Sequence, residues 1–149
     1  MTNTKQYIRQ YVLTVGNANE SIQINNLRVS FDISHTHNKT PNKAVIRVWN
    51  LSLSHRRQVT SGEYKQVALA VGYGSLANCR ILYSGQITKP AVIREGLDFI
   101  LELTCDDGAT AYRDAFISVT LAAGSTHDDV ISRCAGQMEG VTAGNIGLP

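Results

Sequence analysis

The chain has 149 residues, 43% of them hydrophobic and 17% charged, an ordinary globular composition that favours one domain with a sizeable core. The formal net charge is +2 and the basic residues are spread along the chain, which argues against a dedicated nucleic-acid binder. No apolar run approaches the roughly 20 residues that span a bilayer, and the N-terminus lacks the apolar stretch of a secretory signal. The three cysteines are far apart and form neither a disulfide framework nor a zinc motif. We therefore expect a protein that stays in the cytoplasm before any assembly step.

Three strands are predicted in the first third of the chain. A weak one over 7–15 is followed by a clear one over 27–34, in which apolar and polar side chains alternate and so point to opposite faces. The apolar residues of this second strand are Leu27, Val29, Phe31 and Ile33. The third strand, over 43–50, is apolar on both faces. Such a strand is either covered on both sides or lies in a subunit interface.

A short helix is predicted next, over 51–60. Ser52 or Ser54 can act as its N-cap, because a serine side chain accepts a hydrogen bond from a free N–H of the first turn. The helix is followed by a further strand over 66–73, which is also apolar on both faces.

The second half of the chain contains four more predicted strands. Weak ones lie over 80–89, 91–95 and 115–121, and a clear alternating one lies over 97–106. In this clear strand Ile100 is the exception, since it falls on the otherwise polar face.

A second helix is predicted near the C-terminus. Ser125 or Thr126 can cap it, and Asp128 and Asp129 in its first turn suit the positive end of the helix dipole. After Gly140 the chain has no closing strand, and we expect it to be part of a longer protein.

Short strands at intervals of about ten residues predict a mostly-β fold, a β-barrel or sandwich, with one short helix between strands and a C-terminal helix. We expect a β-barrel domain over 1–112. Residues 113–149 would then start a following domain or form a helical appendage.

The best metal candidate is the sequence His35-Thr36-His37, because alternate strand residues share a face and two imidazoles can ligate zinc. A third ligand is missing, since Asp32 falls on the opposite face. The pair lies in a polar loop, so solvated histidines are the favoured interpretation and no metal site is assigned.

No catalytic constellation emerges from the remaining polar residues. Ser54 and His55 lack the context of an activated nucleophile. Asp106 and Asp107 precede Gly108 and are typical of a turn, because adjacent strand residues point to opposite faces. We therefore expect no catalytic residue, no cofactor and no enzymatic activity.

Five segments in a fixed order carry a family resemblance. They read LRVSFDIS at 27–34, NKAVIRVWNLS at 42–52, VALAVGYG at 67–74, ILYSGQI at 81–87 and LDFILELTCDDG at 97–108. In this order and spacing the chain resembles the N-terminal part of phage tail baseplate hub proteins. The similarity extends more loosely over 119–138, where LAAGST before a helix looks like the start of that family's next domain.

The resemblance implies a tail-tube-like β-barrel in a virion. Three hub subunits, each contributing two such barrels, would build a ring that joins the sixfold tail tube to the threefold central spike. The implied partners are further copies of the chain, as a homotrimer, together with tube, spike and other baseplate proteins. Neither sequence-specific nucleic acid nor a membrane is expected. Strands 44–49 and 66–73 become expected interface elements.

Two other interpretations remain open on the residues alone. A tail-tube protein would share the fold, and would form sixfold rings where a hub forms threefold ones. A β-sandwich binding module would need clustered exposed aromatic residues, whereas the one Trp and six Tyr are dispersed along the chain.

Overall fold

Seven strands form one antiparallel sheet in the computed structural model, which describes residues 7–36, 41–108, 116–138 and 144. In chain order the strands are β1 (Arg9–Gly16), β2 (Ser21–Ile24), β3 (Val29–Ser34), β4 (Lys43–Trp49), β5 (Gln66–Tyr73), β6 (Arg80–Glu95) and β7 (Asp98–Asp106). Their order in the sheet is β2-β1-β5-β6-β7-β4-β3. Helix α1 (Leu53–Thr60) lies between β4 and β5, and helix α2 (His127–Gly136) lies near the C-terminus. The predicted mostly-β fold with these two helices is confirmed.

The chain divides into two compact units, Met1–Asp107 and Gly108–Pro149. All seven strands and α1 belong to the first unit, and α2 belongs to the second. The predicted boundary between residues 112 and 113 lies within 109–115, outside the described residues. The two-domain assignment therefore stays a prediction.

The sheet is strongly curved, because its two edge strands are joined by residues 25–28 alone. In a flat seven-stranded sheet the edges would be six strand spacings apart, or roughly 29 Å. The five residue steps from Ile24 to Val29 reach at most roughly 18 Å. The edges β2 and β3 are nevertheless not paired with each other. The sheet is open, and the predicted closed barrel or sandwich is not confirmed.

The hydrophobic core lies against one face of the sheet, which we call the inner face. Strand alternation places every second residue there, and the fully buried strand residues come from β1, β4, β5 and β7. They include Leu13, Val15, Ile46, Val48, Leu69, Leu101 and Leu103. Val59 of α1 joins the same cluster, so the helix covers part of this face.

Ile100, the apolar exception of the last strand, is only 5% exposed although it lies on the outer face. It pairs with Trp49 of β4 on one side and Ile93 of β6 on the other. The two neighbours in this cross-strand row help to bury Ile100. The guanidinium of Arg28 stacks over Trp49, with 4.5 Å from Cζ to the ring centroid.

Three strand predictions need correction. Strand β2 was not predicted, because its four residues lie between two turn signals. The segments 80–89 and 91–95 form the single strand β6, with a register irregularity between Ile87 and Lys89. The strand predicted over 115–121 is wrong for its described residues 116–121, which are irregular. The side chain of Phe116 in this segment is 93% exposed, so it gains nothing from strand packing.

Both helices begin at a residue that the sequence offered as a cap. The Ser52 side chain accepts a hydrogen bond from the His55 N–H at 3.4 Å. At α2 the Thr126 hydroxyl accepts from the Asp129 N–H, and the Asp129 carboxylate accepts in return from the Thr126 N–H. The hydrogen bonds that the Thr126 N–H and hydroxyl donate to the carboxylate lower the pKa of Asp129. Among the described residues no helix is long and apolar enough to cross a membrane.

Candidate assembly surfaces

One half of the outer face carries no charged side chain. Pairing of β2, β1, β5 and the first part of β6 fixes which residues point outward there. They are Ser21, Gln23, Gln10, Val12, Thr14, Gly16, Gln66, Ala68, Ala70, Gly72, Ile81, Ser84 and Gln86. We call this surface the neutral face. Depletion of charge is typical of the centre of a protein interface.

The other half of the outer face has the opposite character. Strands β7, β4 and β3 and the second part of β6 present charged residues of both signs outward. Arg47 on β4 and Glu102 on β7 are directly opposite and form an ion pair of 2.6 Å. A mixed, charged surface of this kind is suited to water. The contrast therefore distinguishes two halves of one sheet.

A second apolar surface lies at the end of the β6–β7 hairpin. The turn residue Leu97 is 93% exposed, and Val92, Ile93 and Phe99 beside it are also exposed. Arg56 of α1 and Arg94 of β6 stack over the Phe99 ring, with Cζ at 4.3 and 5.6 Å from its centroid. We call this region the hairpin tip.

Asn50 fixes the hairpin tip to the end of β4. Its backbone has φ 57, a left-handed conformation that asparagine tolerates better than most residues. Its side chain donates to the Asp98 carboxylate at 2.9 Å and accepts from the Phe99 N–H at 3.1 Å. The apolar tip is therefore held in place by the sheet.

A groove of about 940 Å³ opens between β1 and β3, where the sheet does not close. Its walls are the first half of β1, the end of β5 and the start of β3. Phe31 of β3 lines it and is 44% exposed, although the alternation of 27–34 predicted a buried side chain. The edge position of β3 explains the difference, because β3 has a strand neighbour on one side alone among the residues that the structure describes. We call this opening the β1–β3 groove.

Tyr11 connects the two sides at one point of the groove. Its hydroxyl donates to the Leu27 carbonyl and accepts from the Leu27 N–H at 2.9 Å. Both backbone groups of Leu27 are thus satisfied by a side chain of β1 and not by a neighbouring strand.

The inner face also buries a polar group without a hydrogen-bond partner among the described residues, the hydroxyl of Tyr83. Burial, followed by the nearby Cys105 and the carboxylates of Asp107 and Asp106, raises the Tyr83 pKa. Burial, and then Asp106, raises the pKa of the Cys105 thiol to about 12. Both groups are therefore protonated at neutral pH, which makes them poor nucleophiles.

These raised pKa values predict a loss of stability at alkaline pH. The unfolded thiol and phenol titrate near pH 8.5 and 10, so the unfolded state releases protons before the folded state does. The free energy of unfolding should fall by up to about 1.4 kcal/mol per pH unit for each group as the pH rises above about 9. Urea unfolding between pH 7 and 11 measures this slope.

Tyr83→Phe separates the two contributions to that slope. At pH 7 the free energy of unfolding of this variant should stay within about 1 kcal/mol of the original, since the lost hydroxyl was buried and unpaired. Above pH 10 its slope should be shallower, whereas between pH 7 and 8 the two slopes should agree. Identical slopes at all pH values would show that Tyr83 is not protected by burial.

The predicted polar candidates do not converge. His37 lies outside the described residues, and the His35 ring is tilted by 55° against the Tyr83 ring, with 6.4 Å between the centroids. Across the described part of the chain, no three His, Cys, Asp or Glu side chains are grouped as a metal site would require. Asp107 and Gly108 form the predicted turn after β7, and Ser54 bonds Ser52 at 3.2 Å.

Comparison of the chain with models of known protein families and with curated proteins finds no match. The three surfaces were not predicted as such, because each depends on which strands are neighbours. The strand prediction over 97–106 placed Leu97 on the apolar face, and this is wrong: Leu97 lies in the turn before β7 and is exposed.

Proposed function

We propose that this chain is a structural component of a phage, or phage-derived, tail baseplate hub. Copies of it would form a trimeric ring that joins the tail tube to the central spike, in contact with other baseplate proteins. The protein would be assembled in the bacterial cytoplasm and reside in the virion. The proposal rests on the ordered resemblance of residues 27–108 and on one structural observation, the neutral face.

The neutral face supports self-association because water-exposed sheet faces normally carry charge. Strands β1 and β5 have eight residues each, and four strands lie side by side. The face therefore measures roughly 27 by 19 Å, or about 500 Å². A standard interface buries about 800 Å² on each partner, so a contact of this size is weak and depends on protein concentration, and it needs a receiving surface on the neighbouring copy.

The hairpin tip is the second surface, and it lies elsewhere on the molecule. When one patch of a subunit contacts a different patch of the next, the contact is head-to-tail and generates a closed ring if the rotation closes. A ring is the assembly that a hub needs. A symmetric dimer would instead bring the same patch together on both subunits.

Mass measurement and electron microscopy of the purified chain test the proposal. Light scattering during gel filtration should show a species three times the chain mass at high concentration, and averaged images should show threefold rings. Sixfold rings or tubes would favour a tail-tube protein. A monomer at every concentration would contradict both assignments.

A charge placed on the neutral face should weaken the association between copies of the chain. Ser84 is exposed on the outer face of β6, opposite Ala68 of β5. The variant Ser84→Glu should therefore leave the monomer folded. In a ring contact the new carboxylate would be buried without a partner, and we expect association to weaken by about 100-fold. The concentration at which half the protein is assembled measures the effect.

Ser30→Glu is the matched control. Ser30 is also an exposed serine on the outer face, but it lies opposite Arg47 in the charged half. This variant should assemble as the original chain does. If both variants assembled equally weakly, or if both assembled as the original chain does, the neutral face would not be part of the interface.

A further inference from the structure

Both walls of the β1–β3 groove present strand edges without a strand partner among the described residues. Strand β1 pairs with β2 only from Leu13 to Gly16, which leaves the outward edge of Arg9 to Val12 open. Strand β3 is the last of the sheet and pairs with β4 alone. An open edge of this kind is a template for an added strand.

The lining of the groove combines apolar side chains with two arginines. Val29, Phe31 and Val71 supply apolar surface, and Arg9 and Arg80 supply the only charges among the lining residues. Neither guanidinium forms an ion pair with a carboxylate in the described part of the chain. The groove therefore has a positive charge that no carboxylate of the described residues neutralises.

The register fixes how far apart these arginines are. Arg9 is opposite Tyr73 on one side of β5, and Arg80 is opposite Val71 on the other. Two strand spacings across and two residues along give a separation of about 12 Å between their Cα atoms. Most of this separation runs across the strands, so the two arginines would face different parts of a bound segment and not successive residues on one of its faces.

We propose that the β1–β3 groove binds an extended, acidic segment of a partner protein, which adds to the sheet as a strand. Main-chain hydrogen bonds to the open edges would hold it, its apolar side chains would lie against Phe31 and Val71, and its carboxylates would pair with Arg9 and Arg80. A small amphiphilic anion would leave the strand edges unpaired. The inference does not depend on assembly into a hub.

A labelled peptide tests the groove directly. The probe is a fluorescein-labelled heptapeptide in which glutamate alternates with valine, and anisotropy reports its binding to the full chain. We expect saturable binding that weakens as sodium chloride rises from 0.05 to 0.5 M. Arg9→Gln and Arg80→Gln should each weaken binding about five- to tenfold, as expected for a partly exposed charged hydrogen bond.

Two peptides and one variant serve as controls. A peptide with lysine in place of glutamate should not bind, and one with proline in place of the central valine should bind at least about tenfold more weakly, because proline cannot donate to a strand edge. Arg57→Gln, an exposed arginine of α1 that does not line the groove, should leave binding unchanged.

Three results would overturn the proposal. They are no binding of the glutamate peptide, equal binding of the glutamate and lysine peptides, or equal binding of the proline peptide. Equal binding of the proline peptide would show that the groove binds anions without adding a strand to the sheet. Circular dichroism and the urea midpoint of each variant confirm that the sheet is intact.

Discussion

Replacing Leu103 by alanine is expected to lower the free energy of unfolding by about 2–5 kcal/mol. Leu103 is 0% exposed and lies on β7, with β6 and β4 paired on its two sides. Its cross-strand neighbours on the inner face are Ile46 and Pro90. Because strands on both sides hold the site open, the cavity left by the missing atoms cannot collapse, and the loss should fall in the upper part of this range.

Leu97→Ala provides the matched control for that measurement. It removes the same atoms from the adjoining turn, where the side chain is 93% exposed, so the free energy of unfolding should change by less than about 0.5 kcal/mol. Urea unfolding at neutral pH measures both variants. Similar losses would mean that the hairpin tip is buried in solution, and a small loss at Leu103 would refute the assignment of the inner face.

The second large effect is expected at Gly85. A Cβ at this position would lie 2.5 Å from the Tyr83 hydroxyl oxygen, 2.9 Å from Cζ of the same ring and 3.0 Å from the Asp106 carbonyl oxygen. The ring cannot move aside easily because Tyr83 is 2% exposed. Gly85→Ala should therefore destabilise the protein by about 1–3 kcal/mol through overpacking.

A double-mutant cycle shows whether the Tyr83 ring is the cause. Tyr83→Leu removes the ring atoms that a Cβ at Gly85 would meet, so in this background Gly85→Ala should lose at least about 1 kcal/mol less than it does alone. The control is Gly136→Ala in α2, where nothing lies within 4 Å and alanine favours the helix. Additive effects at residues 83 and 85 would mean that the ring is not responsible.

The local part of this fold could be predicted because its signals are local. Alternation over 27–34 and 97–106 depends only on which side a side chain points to, and Ser52 and Thr126 bond their own helices. Strand β2 was not predicted because its four residues are too few to show a clear alternation of apolar and polar side chains. The strand prediction for residues 116–121 was wrong because strand propensity reflects packing against neighbouring strands, which the local sequence does not reveal.

The surfaces could not be predicted because they depend on strand order. Strand β1 is beside β5, and β4 is beside β7, although neither pair is consecutive in the chain. Ala70 is unremarkable in its own strand. It becomes part of the neutral face only when Val12 and Ile81 are placed on either side of it. The same holds for Phe31, whose exposure follows from the edge position of β3.

The short link of residues 25–28 has a mechanical consequence. Pulling the two edges of the sheet apart would stretch this link to its limit at roughly 18 Å, well before the sheet became planar. Strand β2 is attached to the sheet by four residue pairs, whereas β3 is attached by six. Under load β2 is therefore the element that detaches first, while the central strands keep their curvature.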